Sequence, residues 1–280
     1  MAESNGAGNG MPFDLGVFDL DGTVLSYDLV ITERVLEAFG RLREGGMRLI
    51  VATGRHYGSA REHALKLGFE GQDPLICYGG SMVRRMNGET LMHHTLPRDL
   101  SLEALEWASE RDLHARIFLD GRVVSAPDTA AILDNMRHPE RFDVIAVDSP
   151  LQWLRENDVR PTKLVVVDRP DNVPNWLEDA REAFEGRLFV TRSLPHYVEI
   201  SDYEGTKSNA LEFMCDYWSV DPARTIAFGD ADNDVDMLSF VGHGVSVGGK
   251  TEAVRRAADA IAPPVDEDGV PRYLEELLGA

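Results

Sequence analysis

A doubly wound α/β fold, in which an inserted α/β cap interrupts a parallel sheet, is predicted by three observations. Residues 13–77 alternate short apolar runs with amphipathic stretches, the same alternation resumes after Val198, and the stretch 96–193 between them follows a different pattern. Strands that alternate with helices build parallel βαβ units, with helices covering the sheet. At 280 residues the chain has room for two domains, or for one core with a large insertion. The expected division is a disordered tail at 1–12, a core formed by 13–95 and 194–280, and a cap at 96–193.

The first element is an apolar strand, Phe13 to Phe18, and Thr32 to Glu44 reads as an amphipathic helix stopped by Gly45-Gly46. A strand at Arg48 to Val51, a helix at Gly58 to Leu67 and a strand at Leu75 to Cys77 continue the series. Asn87-Gly88 is a hairpin signal, so Met82 to Thr95 is expected to be an antiparallel flap. Within the cap, a helix at Leu100 to Asp112 precedes strands at Ala115 to Leu119 and Arg122 to Ser125. Strands at Lys163 to Val167 and Leu188 to Thr191 flank a helix at Val173 to Phe184. The core pattern returns with Val198 to Ile200, a helix at Lys207 to Trp218, a strand at Thr225 to Phe228 and a helix after Asp234. A strand at Val245 to Val247 and helices at Glu252 to Ala258 and Pro271 to Leu278 complete the chain.

The composition narrows the class of partner. A net charge of −20 repels polyanions, which argues against nucleic acid. No apolar run approaches the ~20 residues of a membrane span, and Met1 to Pro12 carries no positive leader, so a cytoplasmic protein with no membrane partner is expected. Cys77 and Cys215 stand far apart in apolar contexts, which reads as two buried, reduced thiols. A monomer or a homodimer is the expected assembly.

Chemistry gathers where the predicted strands end. Asp19-Leu20-Asp21-Gly22-Thr23 follows the first strand, at the carboxyl edge where open α/β sheets bind their ligands. Two carboxylates one residue apart suit a nucleophile and a proton-transfer group. Thr53-Gly54-Arg55 follows the second strand and offers a hydroxyl and an amide to a phosphate oxygen, although a helix cap reads equally well. Lys207 opens a helix and could neutralise phosphate charge, while Gly229-Asp230-Ala231-Asp232-Asn233-Asp234 puts carboxylates suited to Mg²⁺ at another strand end. A calcium loop is set aside, because Val235 and Val241 stand where that loop needs Gly and Glu.

Taken together and in this order, the four sets resemble the motifs of the haloacid dehalogenase superfamily. The insertion between the second and third sets, with Met237, Gly244 to Gly248 and Glu267 to Val270, resembles its Cof-type sugar-phosphate phosphatase branch. The resemblance spans Phe13 to about Leu278, with the cap matching only in layout. It implies a Rossmann-like core and a cytoplasmic Mg²⁺-dependent phosphatase acting on a small phosphorylated metabolite. By that analogy Asp19 attacks phosphorus to form an aspartyl phosphate, and Asp21 serves as acid and then base. The resemblance assigns Mg²⁺ to the Asp19 carboxylate, the Asp21 carbonyl and Asp230, with Asp234 in support. It gives the phosphoryl group to Thr53, Gly54, Lys207, Asn233 and the Leu20 amide. The chain departs from the branch at Gly79-Gly80-Ser81 and Gly248-Gly249-Lys250, where relatives often carry Asn-Gly-Ala and Gly-Asn-Ala. Arg55, His56, Tyr78, Arg116 and His196 could face a leaving group, with packing or surface roles the favoured reading for each.

Two alternatives remain in view. A phosphosugar-binding sensor could share the fold, although it would need neither Asp19 nor Asp21. Gly244 to Thr251 also fits the P-loop pattern Gly-x-x-x-x-Gly-Lys-Thr, but Val245 and Val247 alternate as a strand does.

Overall fold

The computed structural model describes residues 11–127 and 143–279. Residues 1–10 of the expected tail lie outside the described residues, whereas Met11 packs on the main core beside Gly45.

Six parallel strands carry the larger sheet. They are β1 (Leu15–Phe18), β2 (Arg48–Ala52), β3 (Pro74–Cys77), β12 (Thr225–Gly229), β13 (His243–Val247) and β14 (Ala260–Ala262). A hairpin of β4 (Met82–Arg85) and β5 (Thr90–His93) is added antiparallel at one edge, giving the order β14-β13-β12-β1-β2-β3-β4-β5. The central strands are apolar throughout because both faces are covered, as parallel sheets require. Along β1, Leu15 and Val17 face a layer that includes Leu211 and Met214, while Phe18 faces the opposite layer with Phe39 and Phe228. Phe18 stacks on Phe228 with centroids 5.2 Å apart.

Helices flank both faces: α1 (Glu33–Glu44), α2 (Tyr57–Lys66), then α6 (Lys207–Trp218), α7 (Val235–Phe240), α8 (Glu252–Ala257) and α9 (Gly269–Leu278). Helix α1 shows how the sequence specifies such an element. Thr32 caps it through Val35 N, Glu33 and the two arginines Arg41 and Arg43 complement its dipole, and Val35, Ala38, Phe39 and Leu42 form the buried stripe.

The second sheet has the order β10-β11-β9-β6-β7-β8, from strands β6 (His114–Leu119), β7 (Arg122–Ser125), β8 (Asp143–Ala146), β9 (Lys163–Val167), β10 (Leu188–Thr191) and β11 (Tyr197–Asp202). Helices α3 (Arg98–Glu110), α4 (Pro150–Glu156) and α5 (Val173–Ala183) belong to the same stretch. Ile117, Leu164, Val166, Val198 and Ile200 pack with Leu105, Trp107, Leu177 and Phe184 in one apolar cluster. Strand β11 corrects the boundary expected at 193/194. Its antiparallel pairing with β9 and β10 places Tyr197–Asp202 in the inserted sheet, so the chain returns to the larger sheet only after Asp202. The register puts Arg116, Phe118, Lys163, Val165 and Glu199 on the face opposite Ile117 and Leu164. Phe118 and Val165 of that face belong to the main apolar cluster of the larger sheet.

Cys77 and Cys215 are buried, and no disulfide joins them. Among the described residues no helix is long and apolar enough to cross a membrane.

Candidate active site

Parallel pairing sets the site. Phe18 is in register with Phe228 on one side and Val51 on the other, so the residues that follow β1, β2 and β12 leave the sheet along one edge. Asp19 leaves β1 there, with its amide donating to Phe228 O at 2.9 Å. The chain then turns back tightly, because Leu20 O accepts from the amides of Thr23, Val24 and Leu25. Gly22 makes this possible: its φ is +82°, and a Cβ there would stand 2.4 Å from Asp230 Oδ2.

Lys207 is the electrostatic centre. Its fully buried ammonium donates to Asp19 Oδ1 at 2.7 Å and to Asp234 Oδ1 at 2.5 Å. It sits in the first turn of α6, behind the Thr206 cap that accepts from Asn209 N. Burial alone would lower the Lys207 pKa, but the Asp19 and Asp234 carboxylates outweigh it and hold the group charged. The other oxygen of Asp234 accepts from the amides of Asp230 and Ala231 at 3.0 and 3.1 Å. Both Asp234 oxygens are therefore engaged in holding Lys207 and the Asp230 loop.

Asp19, Asp230 and Asp234 each bring one carboxylate oxygen to within 4.8 Å of the others, all three buried. Burial pushes the Asp19 pKa well up against the opposing pull of Lys207, and burial followed by Asp234 raises that of Asp230 to about 6. Such crowding of carboxylates is costly without a cation. The donors are hard oxygens, so the residues fit Mg²⁺. Asp230 also accepts from Thr23 Oγ1 at 3.4 Å and Tyr27 OH at 3.1 Å, and it is in contact with Lys250 Nζ.

The Asp21 side chain lies apart from this trio. Arg55 holds it with two parallel bonds, Nε to Oδ2 at 2.7 Å and Nη2 to Oδ1 at 2.6 Å, and Arg55 Nη1 donates to Ser59 at 2.8 Å. The favoured packing role for Arg55 is thus corrected: its guanidinium orients the second carboxylate. Its place two residues beyond Thr53, at the end of the neighbouring strand, was the available signal. Thr53 is fully buried, and its hydroxyl accepts from Arg55 N at 3.2 Å. Gly54 faces Asn233, whose Nδ2 lies 3.8 Å from an ideal Cβ on that glycine.

The inserted sheet reaches the same edge. Lys163 Nζ donates to Gly54 O and to Glu199 Oε2, each at 2.9 Å, and Ser193 Oγ donates to the other oxygen of Glu199. Arg192 pairs with Asp232 at 2.9 Å. Lys163, Glu199, Ser193, Tyr27 and the placement of Lys250 were missed from sequence, because each depends on which strand face or loop meets the edge.

The family model for haloacid dehalogenase-like hydrolase matches residues 17–274. This chain belongs to the haloacid dehalogenase-like hydrolases. Among its relatives, a Bacillus subtilis 5-amino-6-(5-phospho-D-ribitylamino)uracil phosphatase, YitU, is 29% identical over 276 residues, covering 93% of this chain and 96% of that one. An Escherichia coli HMP-PP phosphatase is 30% identical, with 86% of each chain covered. The crystal structure of TM0651 from Thermotoga maritima superposes with a TM-score of 0.77 at 25% identity, covering 94% and 97%. The Cof-type resemblance, the doubly wound α/β fold and the assignment to phosphatase-type hydrolases all stand. The P-loop alternative does not: Gly244 to Val247 forms the sheet interior as β13, parallel to β12 and β14.

Proposed function

We propose that this hydrolase is a Mg²⁺-dependent phosphomonoesterase for a small, polar phosphorylated metabolite. The observation that carries the reading is the Lys207 ammonium shared between Asp19 and Asp234, which fixes a nucleophilic carboxylate beside an oxygen-rich pocket for a divalent ion. Asp19, Asp230 and the Asp21 carbonyl would hold Mg²⁺, with Asp234 bracing the Asp230 loop. Bound there, the ion would screen the substrate's negative oxygens and stabilise charge in the transition state.

In this reading Asp19 Oδ attacks phosphorus while the ester P–O bond breaks. Asp21, carrying a proton, passes it to the departing alkoxide and is left ionised. Asp21 then takes a proton from water as that water's oxygen attacks the aspartyl phosphate, releasing inorganic phosphate and the free Asp19 carboxylate. Arg55 would hold Asp21 in its ionised form, with one oxygen released from the fork when Asp21 carries the proton. Thr53, Gly54, Asn233, Lys207 and the Leu20 amide would cradle the transferring group.

Residues 96–202 would act as a cap over this edge, and Lys163, Glu199 and Ser193 would meet the leaving group. Two of the relatives above carry the names 5-amino-6-(5-phospho-D-ribitylamino)uracil phosphatase and HMP-PP phosphatase, which supports the substrate class. Two buried cysteines with no disulfide between them suit a cytoplasmic location. The test is hydrolysis of p-nitrophenyl phosphate and of a panel of sugar and cofactor phosphates, with Mg²⁺ and with chelator. Turnover that needs Mg²⁺ and is lost in Asp19→Ala is expected. Turnover that survives Asp19→Ala, or no ester hydrolysed with Mg²⁺ present, would overturn the proposal.

A further inference from the structure

Lys250 lies in a segment to which the proposed mechanism gives no role. It follows β13, whose carboxyl end adjoins that of β12, and its ammonium contacts Asp230 Oδ2 and Tyr27 OH. The same ammonium stands 4.5 Å from the centroid of the Tyr27 ring, a cation-π distance. Tyr27 OH also donates to Asp230 Oδ2 at 3.1 Å, so lysine, tyrosine and aspartate form a closed triangle. Gly22 leaves room for it: a Cβ there would lie 2.6 Å from both Lys250 Nζ and Tyr27 OH. Asp230 is almost wholly buried, whereas the Lys250 side chain is 33% exposed and can withdraw toward water.

The charge balance gives this triangle a purpose. Three buried carboxylates and the Lys207 ammonium leave two negative charges, which one divalent ion matches. A second ammonium on Asp230 is then surplus once the ion is in place. Without the ion it relieves a buried carboxylate that would otherwise be held only by hydroxyls and neighbouring acids.

We infer that Lys250, steadied by Tyr27, is a built-in counter-cation that occupies Asp230 in the metal-free protein and is displaced by the entering ion. This chain's own ammonium thereby sets how tightly the metal is held. The inference rests on the reading of Asp19, Asp230 and Asp234 as the metal-holding trio. Lys250 acts through Asp230 and is a positioning residue with no contact to the reacting atoms.

Calorimetric titration of Mg²⁺ into the full-length, metal-free protein, without substrate, tests it. Lys250→Met is expected to bind Mg²⁺ at least about fivefold more tightly than wild type, because the ion no longer displaces a competitor. The metal-free variant should also melt at a lower temperature and gain more from added Mg²⁺. Tyr27→Phe, which keeps Lys250 but removes one hydroxyl, should shift affinity in the same direction by less, and Lys250→Arg should stay within about twofold of wild type. Unchanged or weaker Mg²⁺ binding in both Lys250→Met and Tyr27→Phe would overturn the inference and leave the trio intact. No Mg²⁺ binding by wild type, or undiminished binding in Asp230→Asn, would overturn the trio itself.

Discussion

The fork of Arg55 on Asp21 shows what one residue contributes. Its two parallel bonds fix the carboxylate in rotation as well as position, which a lysine's point charge would not do. Arg55→Ala is expected to lower kcat on p-nitrophenyl phosphate by about 10–100-fold with KM nearly unchanged, and Arg55→Lys to recover only part, as steady-state kinetics would show. Next to it, burial and then the positive charges of Lys163 and Arg55 bring the His56 pKa from 6.5 down to about 4. His56 therefore stays neutral in the folded protein while the unfolded chain takes up a proton below 6.5. Its contribution is complete above that value and is lost as the pH falls toward 4. The drop in urea midpoint between neutral solution and about pH 5 should be smaller in His56→Asn than in wild type. At this scale the sequence was legible wherever chemistry follows a strand directly, as with Asp19, Thr53 and Asp230. It was silent where partners meet across elements, as with Arg55 and Asp21, or Lys163 and Gly54.

Elements with strong local signals could be read from the sequence within a residue or two. Helix α1 carries its cap and stripe in its own residues, and β9 is a run of Lys-Leu-Val-Val-Val. Strand β8 was missed because Asp143–Ala146 is mostly exposed and lacks an alternating pattern, and β14 because three residues are too few to show one. Strand β11 was visible as a strand but placed in the wrong sheet, since its neighbours are chosen by long-range pairing. The turn after β3 gives a prediction at this scale. Gly80 has φ of +112°, and a Cβ there would come 2.0 Å from the carbonyl carbon and oxygen of Thr206, the cap of α6. Gly80→Ala should cost about 3 kcal/mol or more and shift the start of the helix that presents Lys207. A lowered melting temperature with a disproportionate loss of kcat would be the sign.

For the molecule as a whole, the inserted sheet meets the larger one through the apolar side chains of Phe118 and Val165 and through polar contacts. Arg84 grips Asp120 with bonds of 2.9 and 2.6 Å, Tyr78 OH donates to Leu119 O at 3.2 Å, and Lys163 reaches Gly54 O. The surface ion pair is worth at most about 1 kcal/mol, whereas Lys163 is buried and ties the inserted sheet to the loop proposed to hold phosphate. Lys163→Met is expected to raise KM by about 3–10-fold with a smaller change in kcat, and to increase the substrate-free radius of gyration in small-angle scattering. Equal radii in the two proteins would speak against a cap that opens there.

The central pairing of β1 with β12 also bears on how the polypeptide emerges during synthesis. Asp19 and Lys207 are 188 positions apart, and Thr23 and Asp230 are 207 apart. The ribosome must therefore deliver most of the chain before Asp19 meets the Lys207 ammonium, and every strand of the inserted sheet leaves the exit tunnel before β12 does. Until then β1 has a bare flank, an apolar edge that nascent-chain chaperones would be suited to shield. Enzymatic competence thus arrives late and all at once, when β12 slides in beside β1.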